Sequence, residues 1–156
     1  MADLALRDQE LLSHLGWFIR VRWLFLAGHA LTVTIGAFVL KVDLPLGKAL
    51  GVGAFIFTYN LGFFLYNEYL RGERPAPVAS GHVEAALQIG LDLFALSCLI
   101  HYAGGAENPL VVFYLLHAIV GSMLLPRHLA WLAGATAFAM LLVVVRARTL
   151  NPSKLA

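Results

Sequence analysis

Charge and cysteine are what this sequence has least of. Asp, Glu, Lys and Arg make up only 13% of its 156 residues, about half the share usual in soluble domains. The single cysteine, Cys98, stands inside an apolar run, which excludes an intrachain disulfide and the common multi-cysteine metal sites. Net charge is only +2, and no stretch collects like charges into a tail suited to nucleic acid. Nor do the first 16 residues, which include Asp3, Asp8 and Glu10, resemble a cleavable leader, so Met1 is read as the start of the mature chain.

Apolar residues are what is there in quantity. They form 60% of the chain, with a mean hydropathy of +0.79 and 14 glycines, many of them inside apolar runs. One membrane crossing takes about 20 mostly apolar residues, so this length holds about five crossings and leaves no room for a kinase, nucleotidase or DNA-binding module. The expected fold is an all-α integral membrane protein, a single membrane domain over residues 1–156 with about five transmembrane helices plus an N-terminal amphipathic surface helix.

That surface helix is assigned to residues 1–16, where Leu4, Leu11, Leu12 and Leu15 recur at helical spacing with Arg7, Asp8 and Glu10 between them. Spans are expected at about 17–40, 49–69, 83–102, 110–125 and 129–145, followed by a polar tail, 146–156. The opening WFIRVRW marks a headgroup boundary, because tryptophan rings and long arginine stems both suit it. KVDLPLGK, RGERPAPVASGH, GGAENP and PRH are read as connections, since their prolines and charges do not suit a lipid-exposed helix.

Basic residues set orientation. Arg7, Arg20, Arg22, Arg71, Arg74 and Arg127 fall on the N-terminal side, and Lys41, Lys48, Arg146, Arg148 and Lys154 on the other. With the tail set aside, the balance favours a cytoplasmic N-terminus and places GGAENP on the outer side. The basic tail runs against that assignment.

Polar groups at membrane depth are the first candidates for chemistry. His29, Asp92, His101 and His117 fall in or beside spans, where an ionised group costs about 2.5–3.5 kcal/mol on insertion scales, so each needs protein, water or a ligand beside it. For the histidines the simplest role is a neutral imidazole bonded to a neighbouring helix; a haem or chlorophyll ligand is the sharper alternative, and tetrapyrrole is the less expected cofactor. Asp92 is expected to be protonated and bonded to another helix. Cys98 is treated as packing, and no metal site and no catalytic residue is expected. Gly47 with Gly51, and Ala130 with Gly134, are candidate helix-packing positions of the small-xxx-small kind.

The segment YAGGAENPLVVFYLL is the most specific local feature. Gly104 and Gly105 permit positive φ, Asn108 suits an Asx turn, and Pro109 presets the first turn of the next helix. Backbone N–H groups at that helix start would suit a carbonyl oxygen, and Tyr102, Phe113 and Tyr114 are close enough in sequence to flank a flat ring. A quinone head, of ubiquinone or menaquinone, meets that description. So does the plainer alternative of a tight helical hairpin at the membrane surface.

Taken in order, WFIRVRWLFLAGH, LDLFALSCLIHYAGGAENP and FYLLHAIVGSMLLPRHLAWLAG resemble the membrane input domain of the RegB/PrrB group of redox-sensing histidine kinases, over about residues 15–145. GGAENPL is similar to that family's GGxxNPF turn, which is associated with ubiquinone sensing. Gly104, Gly105, Asn108 and Pro109 match it, and Leu110 stands where the family has an aromatic ring. The family pattern continues into a sixth span, a phosphoacceptor helix and an ATP-binding domain, and Cys98 does not correspond to its regulatory cysteine.

Three functions follow as expectations, the least expected being a small enzyme or haem-bearing electron carrier. In the first, the chain is a non-enzymatic accessory or scaffold subunit in contact with lipid, docked to other integral membrane subunits of a photosynthetic or respiratory redox complex. Its setting would be a bacterial cytoplasmic or intracytoplasmic membrane. In the second, it is a free-standing or truncated quinone-sensing input domain that signals through a partner kinase.

Overall fold

The computed structural model describes residues 2–41, 45–70 and 78–149. Every described element is helical: α1 (Ala2–Thr34), α2 (Leu46–Leu65), α3 (Val78–Tyr102), α4 (Val112–Leu124) and α5 (Arg127–Thr149). The loop expected at 71–82 is helical from Val78 and the tail expected from 146 is helical as far as Thr149; residues 71–77, the centre of the turn at 42–44 and the tail from 150 onward lie outside the described residues.

Four segments are long and apolar enough to cross a bilayer: Gly16–Val39, Leu46–Tyr69, Gly81–Tyr102 and Arg127–Arg146. The chain is therefore an all-α protein with the helices of an integral membrane protein. The expected fourth span is shorter than the others. α4 has 13 residues behind a three-residue tight turn, Pro109–Val111, which gives about 25 Å against a hydrocarbon core of about 30 Å. The expected surface helix is not a separate element either, because residues 2–15 continue without a break into the first span as one helix.

The chain divides into two compact units, Met1–Val83 and Glu84–Ala156. In the first, α1 and α2 form a helical hairpin. The last turn of the first span widens, with the Leu40 N–H bonded to Ile35 O at 2.9 Å, and Lys41 follows at φ 53°. Pro45 then opens α2, its carbonyl accepting from the Lys48 and Ala49 N–H groups. Val52, Ile56 and Asn60 are buried at four-residue spacing on α2, and Ile19 and Arg22 are buried on α1. Trp23 meets Phe57 edge-to-face at 5.4 Å, and the Arg22 guanidinium lies 5.5 Å from the centre of the Tyr59 ring.

In the second unit α4 and α5 form another hairpin, bent at Leu125, which is extended, and Pro126. Gly121 is where the packing closes most tightly. A Cβ built there would lie 3.4 Å from Ala133 Cβ and 3.8 Å from Ile89 Cδ1, so α3, α4 and α5 converge on that position. α3 is the most enclosed span, 44% of it buried, against 6% for the first span and 11% for α5. Its buried residues include Ala85, Ile89, Leu93, Leu96 and Ile100.

Close approach thus occurs at Gly53 and Gly121. The expected packing positions Gly47, Gly51 and Gly134 each have open space where a Cβ would stand, and Ala130 is only half-buried. Small residues favour close packing only where the helix's rotation turns them toward a neighbour, and these three glycines are turned elsewhere.

Candidate functional site

The GGAENP turn is built by its own residues. Gly104 and Gly105 adopt φ 108° and 73°, the left-handed region that glycine reaches without steric penalty. Asn108 then locks the turn from both ends of its side chain: Oδ1 accepts from the Leu110 N–H at 2.9 Å, and Nδ2 donates to Ala103 O at 2.7 Å. Pro109 occupies the first position of the tight turn that leads into α4. The segment Gly105–Glu107 lies against α5, with Gly105 buried.

This arrangement alters one expectation. The backbone N–H groups at the helix start are occupied: Asn108 N–H bonds to Gly105 O, Leu110 N–H to Asn108 Oδ1, Val111 N–H to Asn108 O, and Val112 N–H to Leu110 O and Pro109 O. Proline has none to offer. The start of this helix therefore has no free donor for a ligand's carbonyl oxygen among the N–H groups of 108–112, because the turn uses them to hold its own shape.

The aromatic flank divides. Tyr102 and Phe113 are exposed on either side of the turn, and His101 is exposed with its ring edge-to-face on Tyr102 at 5.3 Å. Tyr114 points the other way, only 3% exposed, with its hydroxyl 2.7 Å from Ser97 Oγ. Ser97 gives its single proton to Leu93 O at 2.7 Å, so the Tyr114 hydroxyl donates to Ser97. Tyr114 thus clamps α4 to α3, and its ring does not line the open side of the turn with Tyr102 and Phe113.

The intramembrane histidines have different settings. His29 Nε2 donates to Ala49 O on α2 at 3.0 Å, and its ring sits where a Cβ on Gly53 would fall 3.1 Å from His29 Cδ2. His117 is half-buried, and its Nδ1 donates to Phe113 O one turn earlier in its own helix, at 2.7 Å. Asp92 is half-buried in α3, and Cys98 is a free thiol on the same helix, also half-buried.

Several buried polar residues were not singled out from the sequence. Glu84 and Gln88 are 5% and 2% exposed on α3, and Gln88 Nε2 donates to Glu84 Oε1 at 3.0 Å. With Asp92 they recur every fourth residue, a stripe legible in the sequence once α3 is known to begin at Val78. Asn60 is fully enclosed with its Nδ2 donating to Ile19 O at 3.2 Å, and Arg22, expected at the headgroup boundary with its stem reaching outward, is buried instead. Asn60 Oδ1 has no hydrogen-bond partner among the described residues.

By contrast, the hydroxyls of exposed Thr32, Thr34, Thr58 and Thr136 each bond to the carbonyl four residues back in their own helix. That is how a lipid-facing hydroxyl satisfies itself without water. Among the described residues no three His, Cys, Asp or Glu side chains come together to hold a metal ion. Comparison with known protein families, with characterised proteins and with solved structures yields no match.

Proposed function

We propose that the chain is a non-enzymatic integral membrane subunit that docks beside a larger redox complex, photosynthetic or respiratory, of a bacterial membrane. The observation that carries this reading is the bareness of its first and last spans. Only 6% of the first span and 11% of α5 are buried by the chain itself, and Leu24, Leu31 and Phe38 on one and Trp131, Leu132 and Phe138 on the other are exposed. Such helices have apolar area left for lipid and for the helices of neighbouring subunits. The redox setting is drawn from the resemblance of the GGAENP segment. Solubilisation of native membranes in mild detergent, followed by native electrophoresis, tests the proposal: the chain should migrate with a multi-subunit redox complex, and migration as a lone small protein would overturn it.

A second reading, a quinone-sensing input domain that signals through a partner kinase, is favoured by exposed Tyr102 and Phe113 beside a rigid turn. With the backbone donors of the turn occupied, quinone recognition would rest on ring contacts. Titration with ubiquinone or menaquinone analogues, read through tryptophan fluorescence, should then saturate and weaken when both rings are replaced by alanine. A linear response up to the solubility limit would remove this reading.

A further inference from the structure

We propose that His117 is the single axial ligand to the metal of a tetrapyrrole that lies in the lipid against α4. The inference begins with a proton. His117 Nδ1 is 2.7 Å from the carbonyl oxygen of Phe113, and a carbonyl can only accept, so Nδ1 carries the ring hydrogen. An imidazole carrying its one hydrogen on Nδ1 keeps the lone pair on Nε2. His117 makes no further hydrogen bond among the described residues. A ring nitrogen fixed by a backbone carbonyl on one side and open on the other is the arrangement seen at histidine metal ligands, where the carbonyl sets the tautomer and raises basicity.

The ligand class follows from what is missing around the ring. No cluster of His, Cys, Asp or Glu side chains accompanies it among the described residues, so a bare ion would lack a coordination shell. A tetrapyrrole supplies four nitrogens itself and needs only one axial donor from protein. Its flat apolar body suits the surroundings as well. His117 lies near the middle of α4, with exposed Phe113 and Leu116 on its N-terminal side and half-buried Val120 one turn beyond. A macrocycle centred on Nε2 would cover about one helical turn in each direction, roughly 11 Å in all.

Two other span histidines, His29 and His101, do not offer this geometry. His29 has the opposite tautomer, with Nε2 donating to Ala49 O, and its ring is wedged against Gly53 and stacked on Phe25 at 6.4 Å. His101 stands at the last turn of α3 with its ring against Tyr102, and among the described residues no backbone carbonyl orients it.

The test uses the full chain in detergent micelles with iron protoporphyrin IX and zinc protoporphyrin IX as probes. Wild type should bind one equivalent of each with a shifted Soret band, and the ferrous haem should give the magnetic circular dichroism signature of one histidine ligand. His117→Leu should weaken binding by at least about tenfold, while His29→Leu should bind as wild type does. Where His117→Leu loses helicity, His117→Gly with added imidazole replaces it, and restored binding supports the assignment. Pigment extracted from natively produced protein distinguishes the sources: a pyridine haemochrome identifies haem, and a long-wavelength band identifies a magnesium chlorin. Binding by His117→Leu equal to wild type would overturn the proposal. So would the absence of saturable binding by helical wild type, including the case in which the His117 face instead joins two copies of the chain.

Discussion

Replacing Gly53 by alanine should have opposite effects on stability according to what stands at position 29. The new Cβ would fall 3.1 Å from His29 Cδ2 and 3.4 Å from Nε2, closer than a ring comfortably accepts. The imidazole must give by a few tenths of an ångström, which strains the 3.0 Å bond to Ala49 O at its Nε2 end. Hydrogen bonds between membrane helices are worth about 0.6–1.7 kcal/mol in double-mutant cycles, and a modest clash adds to the part of that which the strain removes. Against it stands the better helix propensity of alanine, about 0.8–1 kcal/mol in water. In the wild-type background the sum should be a destabilisation of about 0.5–1 kcal/mol. In a His29→Ala background nothing obstructs the methyl group, and the same change should stabilise by about 0.5 kcal/mol. The coupling energy, about 1–1.5 kcal/mol, is readable by unfolding in mixed detergent micelles followed by far-UV circular dichroism. Additive effects, with Gly53→Ala carrying the same sign in both backgrounds, would refute the claim that Gly53 is small in order to seat His29.

Three further outcomes follow. Asn108→Ala removes a cap to Leu110 N–H and a bond to Ala103 O; it should cost about 1–2 kcal/mol and speed hydrogen exchange at the Leu110 amide first. Tyr114→Phe should cost about 1 kcal/mol through loss of the bond to Ser97, and adding Ser97→Ala should cost much less than it does alone; equal increments would mean the two hydroxyls are not paired. Gly121→Leu must displace Ala133 and Ile89, whereas Gly134→Leu meets open space; the first should lower the thermal midpoint in detergent by several degrees, about 1–3 kcal/mol of overpacking, and the second should leave it nearly unchanged.

The positions of the helices were legible because the apolar runs are long and the breaks are chemically plain. Pro45 and Pro126 stand where chains turn, and the glycine pair, Asn108 and Pro109 adopt the turn their side chains favour. Which glycine meets a neighbour was not legible. Gly47, Gly51, Gly53, Gly121 and Gly134 all stand in apolar sequence, and only the rotation of each helix about its axis, set by every side chain together, brings Gly53 and Gly121 into contact. Glu84 and Gln88 fall inside the span expected at 83–102, but their burial was not legible either, because it depends on which face of α3 is turned inward. The direction of Tyr114 likewise depended on the turn before it, since two tight-turn segments between residues 105 and 111 reset the phase of α4 relative to α3.

One consequence of the undivided first helix concerns mechanics. α1 has 33 residues, about 50 Å at 1.5 Å per residue, against roughly 30 Å of hydrocarbon. About 20 Å of rod therefore extends past the lipid tails with no joint between the projecting part and the embedded part. A protein that grips the projecting end takes hold of a lever: a sideways push there becomes a tilt of the whole shaft, felt at the far end where His29 meets α2.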